Sequence, residues 1–183
     1  MVPMILLAVI FLYSIVVYNR LTRKRNNVDN AFGSIDAMLK KRFDLIPNLV
    51  ATVQQYAQHE EGTFAKITEL RAQSYTAMSE ADKVAFDEAF NSARRRFFMV
   101  AENYPALRAS ENFMQLQRAL NETEEQLSAS RRTYNAAVTD YNNNVMTFPA
   151  NIVANVFSFT KKEVLTIPEE ERVNPNVKNL FQS

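Results

Sequence analysis

A chain of 183 residues with 21 Lys and Arg against 20 Asp and Glu carries a net charge of +1, a balance that gives no reason to expect nucleic acid as a partner. Without cysteine and with one histidine it has no thiol nucleophile and no lipidated N-terminal Cys, and it lacks GxSxG and phosphate-cradling glycine motifs. Two glycines, no tryptophan and abundant Ala, Glu, Gln, Arg and Leu make a helical composition.

The first 18 residues carry no charged side chain, and the next seven carry four positive ones: Arg20, Arg23, Lys24 and Arg25. The apolar run from Val2 to Tyr18 is about 26 Å long as a helix, near the lower limit for crossing a bilayer core of roughly 30 Å. Tyr13 and Tyr18, backed by Arg20, suit the interface. A cleavable signal peptide would need a basic segment ahead of the run and a small-residue cleavage site, and neither is written here. A membrane anchor over residues 1–19 is therefore expected, followed by a basic collar over 20–25. The collar puts the body in the cytoplasm and the N-terminus outside. About 158 residues remain beyond the collar, with a net charge of −3, enough for one domain with a core.

Beyond the collar the apolar positions keep a seven-residue period. Val28, Ile35, Arg42, Leu49 and Tyr56 form one series, and Phe32, Leu39, Ile46 and Val53 interleave with it. That three-four spacing is the seam of a packed helix, and nothing breaks it from the anchor, so one helix is predicted from about residue 4 to 58. Such a helix is on the order of 80 Å long, so some 50 Å would project beyond the membrane. Pro47 lies inside it, but the pattern continues in phase to Leu49 and Val53, which implies a kink and not a stop.

A second periodic stretch places Phe64, Ile67 and Leu70 on one face. Ser79 is a candidate N-cap for a third helix carrying Val84, Phe86, Ala89, Phe90, Ala93, Phe97 and Val100, which Tyr104-Pro105 ends. Ser110 caps a helix of about ten turns. Its seam reads Phe113, Leu120, Leu127, Tyr134 and Tyr141, alternating with Leu116, Thr123, Ser130 and Ala137. Phe148 to Phe159 is the most apolar stretch outside the anchor; Pro149 fits the first turn of a short helix with Ile152, Val153, Val156 and Phe157 on one side. Such a face is buried on its own bundle, lies on the membrane or docks on another protomer. The expected organisation is an all-α fold in which the transmembrane helix continues into an antiparallel bundle of about four long helices over 26–147. A short apolar helix over 148–160 and an extended tail over 161–183 complete it.

The stretches YNRLTRKRNNVDNAFGSIDAMLKKRFDLIPNLVATVQQYAQHE (18–60) and AENYPALRASENFMQLQRALNETEEQLSASRRTYNAAVTDYNNNVMTFPANIVANVFSF (101–159) resemble the two halves of the signature of the LemA family of bacterial membrane proteins. Residues 160–183 depart from the aromatic-acidic ending of that family. The resemblance implies an anchored antiparallel helical bundle in the bacterial inner membrane with no known catalytic activity. It also suggests company, since the family is often encoded near a membrane zinc protease of the heat-shock type or small membrane proteins of unknown role.

The polar residues within these stretches have physical readings of their own. Asp44, Pro47 and Asn48 share one position in the first helix, where the carbonyl freed near Phe43 needs a donor. The site is a bend of the shaft or a notch for a partner. Arg42 on an apolar seam demands a carboxylate, for which Glu122 and Glu124 are candidates, unless it sends its head to water. Tyr134-Asn135 and Tyr141-Asn142 recur one heptad apart, as tyrosines that fill the seam while their hydroxyls find partners across the bundle. His59, beside Glu60 and Glu61, closes the first helix; one imidazole is too few for a di-metal bundle or a zinc site. Neither cofactor nor metal is expected. The function these features suggest is a non-enzymatic membrane-anchored scaffold, assembled as a homo-oligomer, with an adaptor or regulatory subunit of a membrane protease as the alternative.

Overall fold

The computed structural model describes residues 2–56 and 61–165. His59 and the tail from Thr166 to Ser183 lie outside the described residues. All regular structure among the described residues is helical: α1 (Val2–Tyr56), α2 (Glu61–Ala72), α3 (Glu80–Glu102), α4 (Pro105–Arg108), α5 (Glu111–Met146) and α6 (Ala150–Val156), with a single 3-10 turn at Tyr75–Ala77. The fold is the expected all-α one. Two compact units divide it, Met1–Phe32 with Ser128–Ser183 and Gly33–Leu127, so α1 and α5 contribute residues to both.

Local chemistry sets the helix ends. Ser79 forms a capping box: its hydroxyl accepts from the Asp82 N–H at 3.2 Å while the Asp82 carboxylate accepts from the Ser79 N–H at 3.0 Å, so two orphan donors are satisfied reciprocally. Tyr104, ahead of Pro105, sits at φ −123°, ψ 83°, outside the helical region, and α3 stops at Glu102. The Ser110 hydroxyl donates to the Leu107 carbonyl at 2.7 Å and accepts from the Phe113 N–H at 3.2 Å, closing α4 and opening α5. Pro47 is enclosed within α1. On either side of it Ile46, Leu49, Val50 and Val53 are buried, so apolar packing carries the helix past the missing hydrogen bond.

In the Gly33–Leu127 unit these α1 residues meet Ile67 and Leu70 of α2, Phe86, Phe90 and Phe97 of α3, Leu107 of α4 and Phe113, Leu116 and Leu120 of α5. Each fully buried side chain of this size contributes about 1.5–3 kcal/mol of burial free energy. The stripe of α3 is Phe86, Phe90, Ala93 and Phe97, and Val84 is exposed instead of packed. In the other unit Lys24 pairs with Asp140 and Phe32 meets Tyr134, so α1 and α5 run antiparallel there. Its core is Val17, Leu21, Val28, Val138, Tyr141, Val145, Val153, Ala154 and Phe159.

The seam of α5 departs from the expected series after Leu127. Arg131, Val138 and Val145 are buried, whereas Ser130 and Ala137 are only half-buried. The step from Leu127 to Arg131 repeats the four-residue spacing that precedes it, between Thr123 and Leu127. An ideal helix drifts about 20° per heptad against a 3.5-residue repeat, and one such extra residue restores the facing side.

Candidate functional site

Arg42 is the largest charged group in the interior, 1% exposed. Its guanidinium forks between two carboxylates, Asp87 of α3 and Glu124 of α5, and touches Asn91 at 3.3 Å. The Phe90 ring lies 5.4 Å beneath it, and Arg94 approaches Glu124 at 3.6 Å. Arg42 thus ties three helices together, with Arg94 beside Glu124 as a further cation. Of the two candidate partners, Glu124 is taken; Glu122 is exposed and pairs with Lys41 at 3.3 Å instead. Asp87 is the partner that sequence reading missed. Its signal was a carboxylate beside Phe86 and three residues before Phe90, on the apolar stripe of α3.

A second polar group joins α1 to α3. The Tyr75 hydroxyl donates to the Asp36 carboxylate at 2.7 Å, and Lys83 reaches the same carboxylate at 2.6 Å. The Lys83 ammonium, with Tyr75, holds the Asp36 carboxyl below its ordinary range against the opposing effect of desolvation. Burial, reinforced by Asp36, pushes the Tyr75 hydroxyl well above the usual tyrosine range.

Asp44 faces solvent and pairs with Lys40 one turn away. Asn48 is exposed, and its carbonyl accepts from the Thr52 hydroxyl at 2.7 Å. With Leu45, Ala51, Thr52 and Gln55 of α1 and Asn112, Gln115, Leu116 and Ala119 of α5, Asn48 lines a groove of about 560 Å³ beside Pro47. Four of those nine side chains are carboxamides, able to donate and accept at once.

The repeated Tyr-Asn pairs grip the chain's own extended segment after α6, and this corrects the expectation that their hydroxyls bond across helices. Asn142 donates to the Lys162 carbonyl at 2.8 Å and accepts from its N–H at 3.0 Å. Asn135 does the same at Leu165, both at 2.8 Å. Tyr141, 1% exposed, donates to the Thr160 carbonyl at 2.9 Å, and half-buried Tyr134 reaches the Glu163 carbonyl at 3.4 Å. The spacing explains the match. Seven helical residues rise about 10.5 Å and three extended ones cover on the order of 9–10 Å, so amides one heptad apart meet backbone positions three apart. Lys162 adds an ion pair to Asp29 at 2.5 Å. Burial holds the Tyr141 hydroxyl above the usual range, opposed by Arg25 and Lys162.

Pro149, preceded by a cis peptide, occupies the N-cap position of α6. The helix buries Val153 and Ala154 and leaves Ile152 and Val156 exposed, so the expected four-residue face is split. It ends in a Schellman turn: Phe159 N–H reaches the Ala154 carbonyl at 2.9 Å and Ser158 N–H the Asn155 carbonyl at 3.3 Å, with Ser158 at φ 56°. That reversal tucks Phe159 beneath Tyr18 and Arg25, and Phe157 meets Tyr18 edge-to-face at 4.9 Å. In the collar, Arg20 and Arg23 are exposed while Lys24 and Arg25 are drawn into tertiary contacts with Asp140 and Phe159.

α1 contains an apolar stretch long enough to cross a membrane, and only 6% of it is buried, unlike the core helix of a soluble protein. Val17 and Tyr18 at its end are built into the folded unit. Among the described residues no three His, Asp or Glu side chains come together as metal ligands. The sites instead consume their polar groups internally, as ties between helices and a clasp on the C-terminal segment.

Comparison with known proteins places these features. The chain is 28% identical to Protein LemA of Metamycoplasma hominis over 163 residues, covering 88% of this chain and 74% of that one. It is 22% identical to Magnetosome protein MamQ 2 of Paramagnetospirillum magneticum, covering 89% and 70%. Identity to Magnetosome protein MamQ of Magnetospirillum gryphiswaldense is 19%, covering 80% and 63%. None of these relatives is named for a catalytic activity. The LemA family profile matches residues 31–179, and the chain, a membrane-associated helical protein, belongs to the LemA family.

Proposed function

We propose that the protein is a non-enzymatic scaffold anchored in the bacterial inner membrane through α1, with its N-terminus outside, its body in the cytoplasm and its units assembled as a homo-oligomer. The observation that carries this reading is the use of its buried and half-buried polar residues. Arg42 is engaged by Asp87 and Glu124, and Asn135 and Asn142 by backbone of the same chain. Each serves to hold helices and segments in register, which is what a presenting surface requires and a reacting centre does not. The collar of Arg20, Arg23, Lys24 and Arg25 supports the orientation.

The groove beside Pro47 favours a second reading, an adaptor or regulatory subunit of a membrane protease. Its carboxamides Asn48, Gln55, Asn112 and Gln115 suit an extended polypeptide, the partner that Asn135 and Asn142 already grip within this chain.

The mass of the detergent-solubilised native complex tests both. A homogeneous homo-oligomer supports the scaffold, a stoichiometric second polypeptide supports the adaptor, and a lone monomer refutes the assembly. A cysteine at Glu80, exposed at the start of α3, should resist membrane-impermeant labelling in intact cells. Efficient labelling there would overturn the orientation.

A further inference from the structure

α6 leaves an apolar surface uncovered: Phe148 is 74% exposed, Ile152 56%, Val156 71% and Phe157 51%. Ile152 and Val156 lie one turn apart and are exposed, while Val153 and Ala154 are buried, with Phe148 just ahead of the helix. Exposed apolar groups gathered in this way mark a contact surface. Its neighbour identifies the contact. Val156 and Phe157 line a groove of about 380 Å³ together with Phe11, Ser14, Ile15 and Tyr18 of α1. Those α1 residues end the apolar run, whose exposed side chains need hydrocarbon around them. The uncovered face of α6 is therefore continuous with the lipid-facing surface of the anchor, and spans about its last two turns. Arg20, Arg23 and Lys161, all exposed, follow within a few residues of this patch, where phosphate headgroups would lie.

We infer that α6 and Phe148 are a second membrane foothold, lying in the interfacial layer of the bilayer that α1 crosses with Ile152 and Val156 against phospholipid acyl chains. The anchor's apolar run is short for a full hydrocarbon core, and an apolar wedge beside its exit fills the interface around Tyr18. A second contact point also fixes the rotation of α1 about its own axis. The inference rests on membrane anchorage and stands independently of the scaffold reading.

The chain has no cysteine, so single sites can be introduced into the full-length protein. Ile152→Cys and Val156→Cys, spin-labelled and reconstituted in phosphatidylethanolamine and phosphatidylglycerol vesicles, are compared with Leu7→Cys in the anchor and Glu80→Cys on the body. Labels at 152 and 156 should favour collision with oxygen, and collide with a water-soluble nickel chelate several-fold less than the label at 80. A Phe157→Cys label should then become chelate-accessible when Ile152→Asp and Val156→Asp are added, with the unfolding temperature unchanged. Chelate accessibility at 152 and 156 equal to that at 80 would refute the foothold. So would spin–spin broadening at these sites that vanishes on dilution with unlabelled chain, because it would put a second copy on this face.

Discussion

Removing the Asn142 carboxamide should release the segment that follows α6 without unfolding the helices. Asn142→Ala deletes two hydrogen bonds to Lys162, at 2.8 and 3.0 Å, on a half-buried stretch of backbone. At about 0.5–1.5 kcal/mol net for each bond, the loss is roughly 1–3 kcal/mol. Because about 1.4 kcal/mol is a tenfold change in an equilibrium, local opening should become roughly ten- to a hundredfold more frequent, which amide hydrogen exchange reads directly. The Lys162 amide should lose protection in Asn142→Ala and the Leu165 amide in Asn135→Ala, while amides in the middle of α5 keep theirs. Asn143→Ala is the internal control: it changes the same residue type one position along, on the exposed side of α5, and should leave both amides protected. Unchanged exchange at Lys162 in Asn142→Ala, or an equal loss in Asn143→Ala, would refute the clasp.

Four further outcomes follow from the same geometry. Arg42→Ala should destabilise the protein by about 3–5 kcal/mol in thermal unfolding, because the cation buried between Asp87 and Glu124 is removed; Arg42→Lys should recover only part, since an ammonium cannot fork between two carboxylates. Folding depresses the Asp36 pKa, so its stabilisation is present above the ordinary carboxylate value and is lost as pH falls through the folded value; Lys83→Met should flatten that acid limb of the unfolding profile. Folding raises the Tyr75 pKa, so stability should also fall as pH climbs past the ordinary tyrosine value, a limb that Tyr75→Phe should reduce and that Tyr141 shares. Ser158→Gly should stabilise the turn after α6 by up to about 1 kcal/mol by relieving its left-handed backbone, and a lowered melting temperature would contradict this.

What the sequence determined alone is the local order of the chain. Period and caps are properties of neighbours three or four residues apart, so α1 running through Pro47, the N-cap at Ser79 and the stop before Pro105 were all legible. The anchor was equally plain, because hydrocarbon length is a count of apolar residues. Tertiary structure decided the partners. Arg42 announced a need for carboxylates, but choosing Asp87 over Glu122 depends on which helix faces carry them, and those faces are set only when the bundle packs. Small drifts of helical phase accumulate along α5, so the seam read correctly to Leu127 and again at Tyr141, while the alternating positions Ser130 and Ala137 gave way to Arg131 and Val138. The clasp was hidden for another reason. Asn135 and Asn142 bond to backbone, which every residue possesses, so the segment they hold carries no side-chain pattern that could have marked it.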